Sequence, residues 1–181
     1  LRLDFFKGEV DSLKVNSEAT PVVYNGHYLW LSQDQIAEGS NRVVIEFSRN
    51  YAKDGSGLHE FMDPEDGRRY IYTDLQPFDA NRVFPMFDQP DIKATYRMQV
   101  KAPKKWHVIT SVRENSITRS KEFDTWEFPE SARFSTYIWS LHAGPYRVWA
   151  DADYQVPLRL FARQSMADYV NPQEWFESTK N

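Results

Sequence analysis

Val22-Val23-Tyr24-Asn25-Gly26-His27-Tyr28-Leu29-Trp30-Leu31 consists of two runs of β-branched, aromatic and apolar residues around a single Asn-Gly dipeptide. Such runs suit pleated, half-buried strands, and Asn-Gly readily supplies the two positive φ angles of a type I′ hairpin turn. The stretch therefore predicts an antiparallel hairpin, and elsewhere along the chain a period-two pattern marks strands with one buried face. Val43, Ile45 and Phe47 alternate with Val44, Glu46 and Ser48; Ala94, Tyr96, Met98 and Val100 alternate with Thr95, Arg97, Gln99 and Lys101. Further strands are expected at residues 1–6, 70–73, 106–110, 124–128, 137–141, 146–150 and 157–162.

Between these runs stand Asp54-Gly55-Ser56-Gly57, Pro64-Glu65-Asp66-Gly67, Pro103 and Gly144-Pro145, which is turn chemistry rather than helix. Strands joined by turns pair antiparallel, so the expected fold is an all-β, antiparallel β-sandwich. One helix start is expected at residues 172–180, where Asn171 can cap, Pro172 fits the first helical position and Glu174 and Glu177 lie in the early turns.

The composition narrows the function classes. With 181 residues, 41% hydrophobic and 27% charged, the chain is too apolar for disorder and large enough to bury a core without staples. It has no Cys, which removes disulfides, thiolate nucleophiles and cysteine metal sites. Its net charge of -4 comes from 26 acidic and 22 basic residues interspersed along the sequence, so no basic stripe suggests a nucleic-acid partner. No run reaches the ~18 consecutive apolar residues of a membrane span, and Leu1-Arg2-Leu3-Asp4 lacks the charged and apolar regions of a signal peptide. The expectation is a cytoplasmic protein with no membrane partner, with a secreted or periplasmic location as the open alternative.

His59-Glu60-Phe61-Met62-Asp63 begins like a zinc-binding His-Glu-x-x-His helix, but Asp63 stands where the second imidazole belongs and the flanks are turns. The favoured reading is a short strand. His27, His107 and His142 each stand in a strand-like context with no second ligand at metal spacing. No phosphate loop or nucleophile elbow occurs, so the residues alone contain no complete active site. The six Trp and ten Tyr could fill a core or form stacking platforms, which leaves a carbohydrate-binding or purely structural β-sandwich open as the alternative.

The stretch from Tyr72 to Ala94 fits neither strand nor helix. Three prolines and three phenylalanines among alternating polar side chains mark an ordered loop of the kind that carries function. Arg82, Asp88 and Asp91 are candidates for tying it to the sandwich.

This run, Tyr72-Thr73-Asp74-Leu75-Gln76-Pro77-Phe78-Asp79-Ala80-Asn81-Arg82-Val83-Phe84-Pro85-Met86-Phe87-Asp88-Gln89-Pro90, continuing to Lys93-Ala94, resembles the signature of the N-terminal domain of the aminopeptidase N family of zinc metallopeptidases. Members of that family commonly read Tyr-Thr-Gln-x-Glu-Pro-x-x-Ala-Arg-Arg-x-Phe-Pro-Cys-Phe-Asp-Glu-Pro-x-x-Lys-Ala. Gly57-Leu58-His59, Ala102-Pro103 with Trp106, Ser135-Thr136-Tyr137 and Gly144-Pro145-Tyr146 add ordered matches on both sides.

The resemblance implies a saddle-shaped β-sandwich over residues 1–170. Residues 171–181 would then start a linker helix into a thermolysin-like catalytic domain, against which Trp175 and Phe176 would partly pack. The catalytic zinc would belong to that domain, and no cofactor to this chain. The implied partners are the protein's own catalytic domain and the N-terminus of a peptide substrate. Gln76 matches the family carboxylate that binds the substrate's α-amine, and Asp74 matches a neighbouring polar position near the first substrate residue. Gln76 for Glu removes a charge from the amine site, Asn81 replaces a common Arg, and Met86 replaces the usual Cys.

Overall fold

In the computed structural model, which describes residues 1–180, β1 (Arg2–Asp4), β2 (Glu9–Val15), β3 (Glu18–Ala19), β4 (Val23–Tyr24), β5 (Tyr28–Trp30) and β6 (Val43–Ser48) form two three-stranded sheets. Their orders are β1-β5-β4 and β3-β2-β6, with antiparallel pairing throughout. Leu3, Leu29 and Leu31 from the first sheet and its end pack against Leu13 and Val15 from the second. Each such side chain, once out of water, contributes about 1.5–3 kcal/mol, which suffices to hold these short strands face to face.

A second pair of sheets follows. β7 (Gly57–Met62), β8 (Arg69–Asp74), β10 (His107–Thr110) and β13 (Leu141–Gly144) make a sheet of order β10-β13-β8-β7; β9 (Met98–Pro103), β11 (Ser116–Arg119) and β12 (Phe123–Phe128) make one of order β11-β12-β9. Ile71, Val108 and Ala143 of the larger sheet meet Ala102, Trp126 and Phe128 of the smaller. β14 (Arg147–Asp151) and β15 (Leu158–Ala162) form a hairpin, and α1 (Pro172–Lys180) ends the described chain. The all-β, antiparallel expectation holds.

Local expectations fared unevenly. Val23 pairs with Trp30 and Tyr24 with Leu29, so the first hairpin is in place. Its turn is not type I′, because only Gly26 takes positive φ, at 88°. Asn25 instead turns its side chain back, its Oδ1 accepting the His27 and Tyr28 amides at 3.0 and 2.9 Å. A two-residue turn with positive φ at both positions lies between β2 and β3, at Asn16 (51°) and Ser17 (76°).

Two strands are shorter than their alternation suggests. The run from Ala94 becomes a strand only at Met98, because its partner β12 ends at Phe128 and Pro129 has no N–H to continue the ladder. Residues 137–141 are not a strand: Thr136–Ile138 is a 3₁₀ turn, and β13 starts at Leu141. Ser135 and Thr136 have side chains committed to Pro90 and Asp88, which bends the backbone out of strand geometry.

The helix forms where capping predicts. The Glu174 amide points at Asn171 Oδ1 (3.5 Å), and Lys180 at the far end reaches Asp151 Oδ2 at 2.5 Å. Phe176 is buried against the described residues, whereas Trp175 is 58% exposed. Asn181, the last residue of the expected linker segment, lies outside the described residues.

The polypeptide entering that helix is clipped to the β7–β8 hairpin by Asp63, whose Oδ2 accepts Ser165 Oγ at 2.6 Å and Arg163 Nη1 at 2.8 Å. The Ser165 hydroxyl, with the Glu65 amide and the Arg163 charge, holds the Asp63 carboxyl below its ordinary value of 3.8 against the opposing effect of burial. A carboxylate whose pKa is lower folded than unfolded adds stability above the unfolded value and loses it as pH falls through the folded one. The stability gap between the natural chain and Asp63→Asn should therefore narrow below pH 3.8. Chemical denaturation from pH 6 to pH 2 reads this, and a gap independent of pH would show that the clip carries no linked charge.

Candidate functional site

β8 ends at Asp74, and the long loop beyond it is fixed nearly residue by residue. Leu75, Ala80, Met86 and Trp139 form a small core of their own between the two sheet pairs. The Asp79 amide closes on Leu75 O at 2.9 Å, and Ala80–Arg82 make one 3₁₀ turn. Asp4 and Met86 exchange backbone bonds of 2.7 and 3.0 Å, and the Phe6 amide donates to Asn81 O at 3.0 Å.

Asp88 is the centre of this network. Its Oδ2 accepts the Asn81 amide at 2.9 Å and Asn81 Nδ2 at 2.7 Å, its Oδ1 accepts Thr136 Oγ1 at 2.8 Å, and its own amide donates to Asp4 Oδ2 at 3.1 Å. Arg82 reaches Asp54 Oδ2 at 2.5 Å across the β7 entry. There Gly57 takes φ 72°, and any Cβ on it would come within 2.8 Å of Arg82 Cβ; only glycine allows this approach. Arg82 and Asp88 thus tie the loop as expected. Asp91 does not: it is exposed, and among the described residues its side chain makes no hydrogen bond or ion pair.

Asp74 and Gln76 behave differently from the residues that pin the loop. Both are exposed, and among the described residues neither side chain is bonded to another group. Leu75 between them is 3% exposed, so it anchors the backbone that presents its two polar neighbours. The Gln76–Pro77 peptide bond is cis. The pair offers one amide oxygen and one carboxylate on a rigid base, an arrangement able to accept hydrogen bonds from a cation.

The histidines stand apart from this pair. His59 lies in β7, the short strand expected of its segment, and its Nδ1 accepts the Gly55 amide at 3.1 Å. His107 and His142 are strand residues held below the usual imidazole pKa by burial, so both are neutral at pH 7. His27 is not in a strand but in the β4–β5 turn, exposed. Among the described residues no three His, Asp or Glu side chains gather to hold a metal ion. Trp126 and Trp139 fill the core, while Trp30 and Trp175 are the two tryptophans exposed beyond a third, on different elements.

The comparison that decides the family is with a domain profile. Residues 2–138 match the peptidase M1 N-terminal domain. The chain belongs to the peptidase M1 N-terminal domain family. Among full proteins it is 40% identical over 143 residues to aminopeptidase N of Streptomyces lividans, a match covering 77% of this chain and 16% of that protein. It is 33% identical over 112 residues to probable aminopeptidase 1 of Sulfurisphaera tokodaii, covering 62% of the chain and 14% of the relative. Against aminopeptidase N of Acetobacter pasteurianus it is 28% identical over 170 residues, covering 83% and 47%. In such relatives an M1 N-terminal domain is one part of a larger protein. The matched span contains Asp74, Gln76 and all the ties around Asp88.

Proposed function

We propose that this M1 N-terminal domain is part of a zinc-dependent aminopeptidase, where it caps one side of the active-site cleft and anchors the substrate's α-amine. The observation that carries the reading is the contrast within one loop. Arg82, Asp88 and Asn81 are spent on holding it, while Gln76 and Asp74 are left unbonded and exposed on it.

Gln76 Oε1 accepts a hydrogen bond from the substrate ammonium, and Asp74 lies beside the first residue and supplies the negative charge that Gln76 lacks. The domain contributes position rather than reactivity: fixing the amino terminus presents only the first peptide bond to the catalytic groups. In this reading zinc and the groups that activate water belong to the catalytic domain. Residues 1–170 form the cap and 171–181 lead into that domain, with Trp175 facing it.

Two experiments follow. The purified 181-residue chain is expected to hydrolyse no aminoacyl substrate, with or without added zinc; zinc-dependent turnover by the pure chain would overturn the division of labour. In the intact enzyme, a peptide with a free α-amine and a photoreactive first side chain should label the loop at residues 74–78. Labelling confined to other parts of the protein would remove this loop from the substrate site.

A further inference from the structure

Arg2, Tyr28 and the neighbouring pair Phe78 and Asp79, from three separate parts of the sequence, meet around a cleft of about 420 Å³ whose lining also includes Phe6. Most charges along it are already engaged. Asp88 is bonded by Asn81 and Thr136, Asp4 accepts the Asp88 amide, and Arg82 is paired with Asp54.

Two groups are not. The Arg2 side chain is 51% exposed; its guanidinium lies 4.3 Å from the centre of the Tyr28 ring and 3.8 Å from the Asp4 carboxylate. The Asp79 side chain is 24% exposed, and its carboxylate lies 3.8 Å from Arg82 Nη1. Both separations exceed hydrogen-bond reach. The cleft therefore presents a guanidinium fork and a carboxylate, each held only by a 3.8 Å ion pair, beside aromatic walls, of which Phe78 is 63% exposed.

This set is complementary to a molecule with a carboxylate, an ammonium and an apolar body. The volume is near the small end of ligand pockets, roughly 300–1,000 Å³, which favours a single amino acid over a longer peptide. We propose that the cleft binds a free amino acid with a large apolar side chain, Arg2 holding its carboxylate, Asp79 its ammonium, and Tyr28 with Phe78 its side chain. The Arg2 fork suits a carboxylate bidentately, and its stacking on Tyr28 holds it in place before the ligand arrives. Gln76 and Asp74 do not line this cleft, although Phe78 lies on the same loop.

The test titrates the chain with L-phenylalanine while backbone amide and aromatic resonances are followed by NMR. The titration is repeated with N-acetyl-L-phenylalanine, which lacks the ammonium, and L-phenylalaninamide, which lacks the carboxylate. Shifts at Arg2, Tyr28, Phe78 and Asp79 should saturate together. Each analogue should bind about ten- to a hundredfold more weakly, the effect of losing one hydrogen bond between charged groups. In Asp79→Asn the gap between phenylalanine and its acetyl derivative should close, and in Arg2→Gln the gap to the amide should close. Arg2 is a half-exposed residue whose replacement leaves the core untouched, so that arm survives even where Asp79→Asn disturbs Arg82. The absence of saturable shifts in the cleft up to the solubility limit, equal affinity for the three compounds, or gaps unchanged in both variants would overturn the proposal.

Discussion

Gln76→Ala in the intact enzyme is expected to lower kcat/KM for a free-amine dipeptide by roughly ten- to a hundredfold. The exposed Gln76 side chain has no internal partner to lose, so the fold should be unaffected and the whole effect should appear in catalysis. A hydrogen bond to a charged group contributes about 1.5–3 kcal/mol, and each 1.4 kcal/mol is about tenfold in rate or affinity. Gln76→Glu keeps the size and adds charge, so it should move kcat/KM upward; the gain should be smaller than the Ala loss, because Asp74 two residues earlier already contributes a carboxylate. A substrate analogue with hydrogen in place of the α-amine gives the control: it should be processed equally by the natural enzyme and by Gln76→Ala. A Gln76→Ala enzyme with unchanged kcat/KM on the free-amine dipeptide would remove Gln76 from the amine site.

Asp88→Ala should be the most damaging single change within the loop. It deprives the Asn81 amide, the Asn81 side chain and the 3%-exposed Thr136 of their shared acceptor. Unsatisfied buried donors cost about 1–3 kcal/mol each, and partial rescue by water brings the expected loss to about 2–4 kcal/mol. For a chain of this size that lowers Tm by roughly 4–16 °C. The loop carries Gln76, so the intact variant should also lose activity, whereas Asp91→Ala, which removes an exposed and unbonded side chain, should change neither quantity. Equal, small effects of the two substitutions would mean that the loop is held by its backbone and by the Leu75, Ala80, Met86 and Trp139 core alone.

The contrast between Asp88 and Asp91 also marks what could be read before the structure. Two aspartates three residues apart in one loop are indistinguishable by type; only the fold brings Thr136 and Asn81 to the first and nothing to the second. β6 was legible because Val43 and Ile45, its more covered side chains, alternate with exposed ones, and β5 because the Asn-Gly dipeptide marks the turn before it. β2 was not, because Glu9, Asp11, Ser12 and Lys14 dilute its apolar face, and β11 has Ile117 as its sole large apolar residue. The turn at Asn16 and Ser17 was missed for a related reason: Asn-Ser carries a weaker positive-φ signal than the Asn-Gly that drew attention nine residues later. Asp74 and Gln76 were found by the resemblance of their loop to a family signature, whereas the Arg2, Tyr28, Phe78 and Asp79 cleft joins positions that no local pattern connects.

The most direct test is a crystal structure of the intact enzyme with a peptide analogue bearing a free α-amine. Gln76 Oε1 should lie within about 3.2 Å of the ammonium nitrogen, as a hydrogen bond requires, with Asp74 facing the first residue. An ammonium held wholly by groups outside this chain, with Gln76 turned to solvent, would contradict the assignment of this domain as the amine anchor.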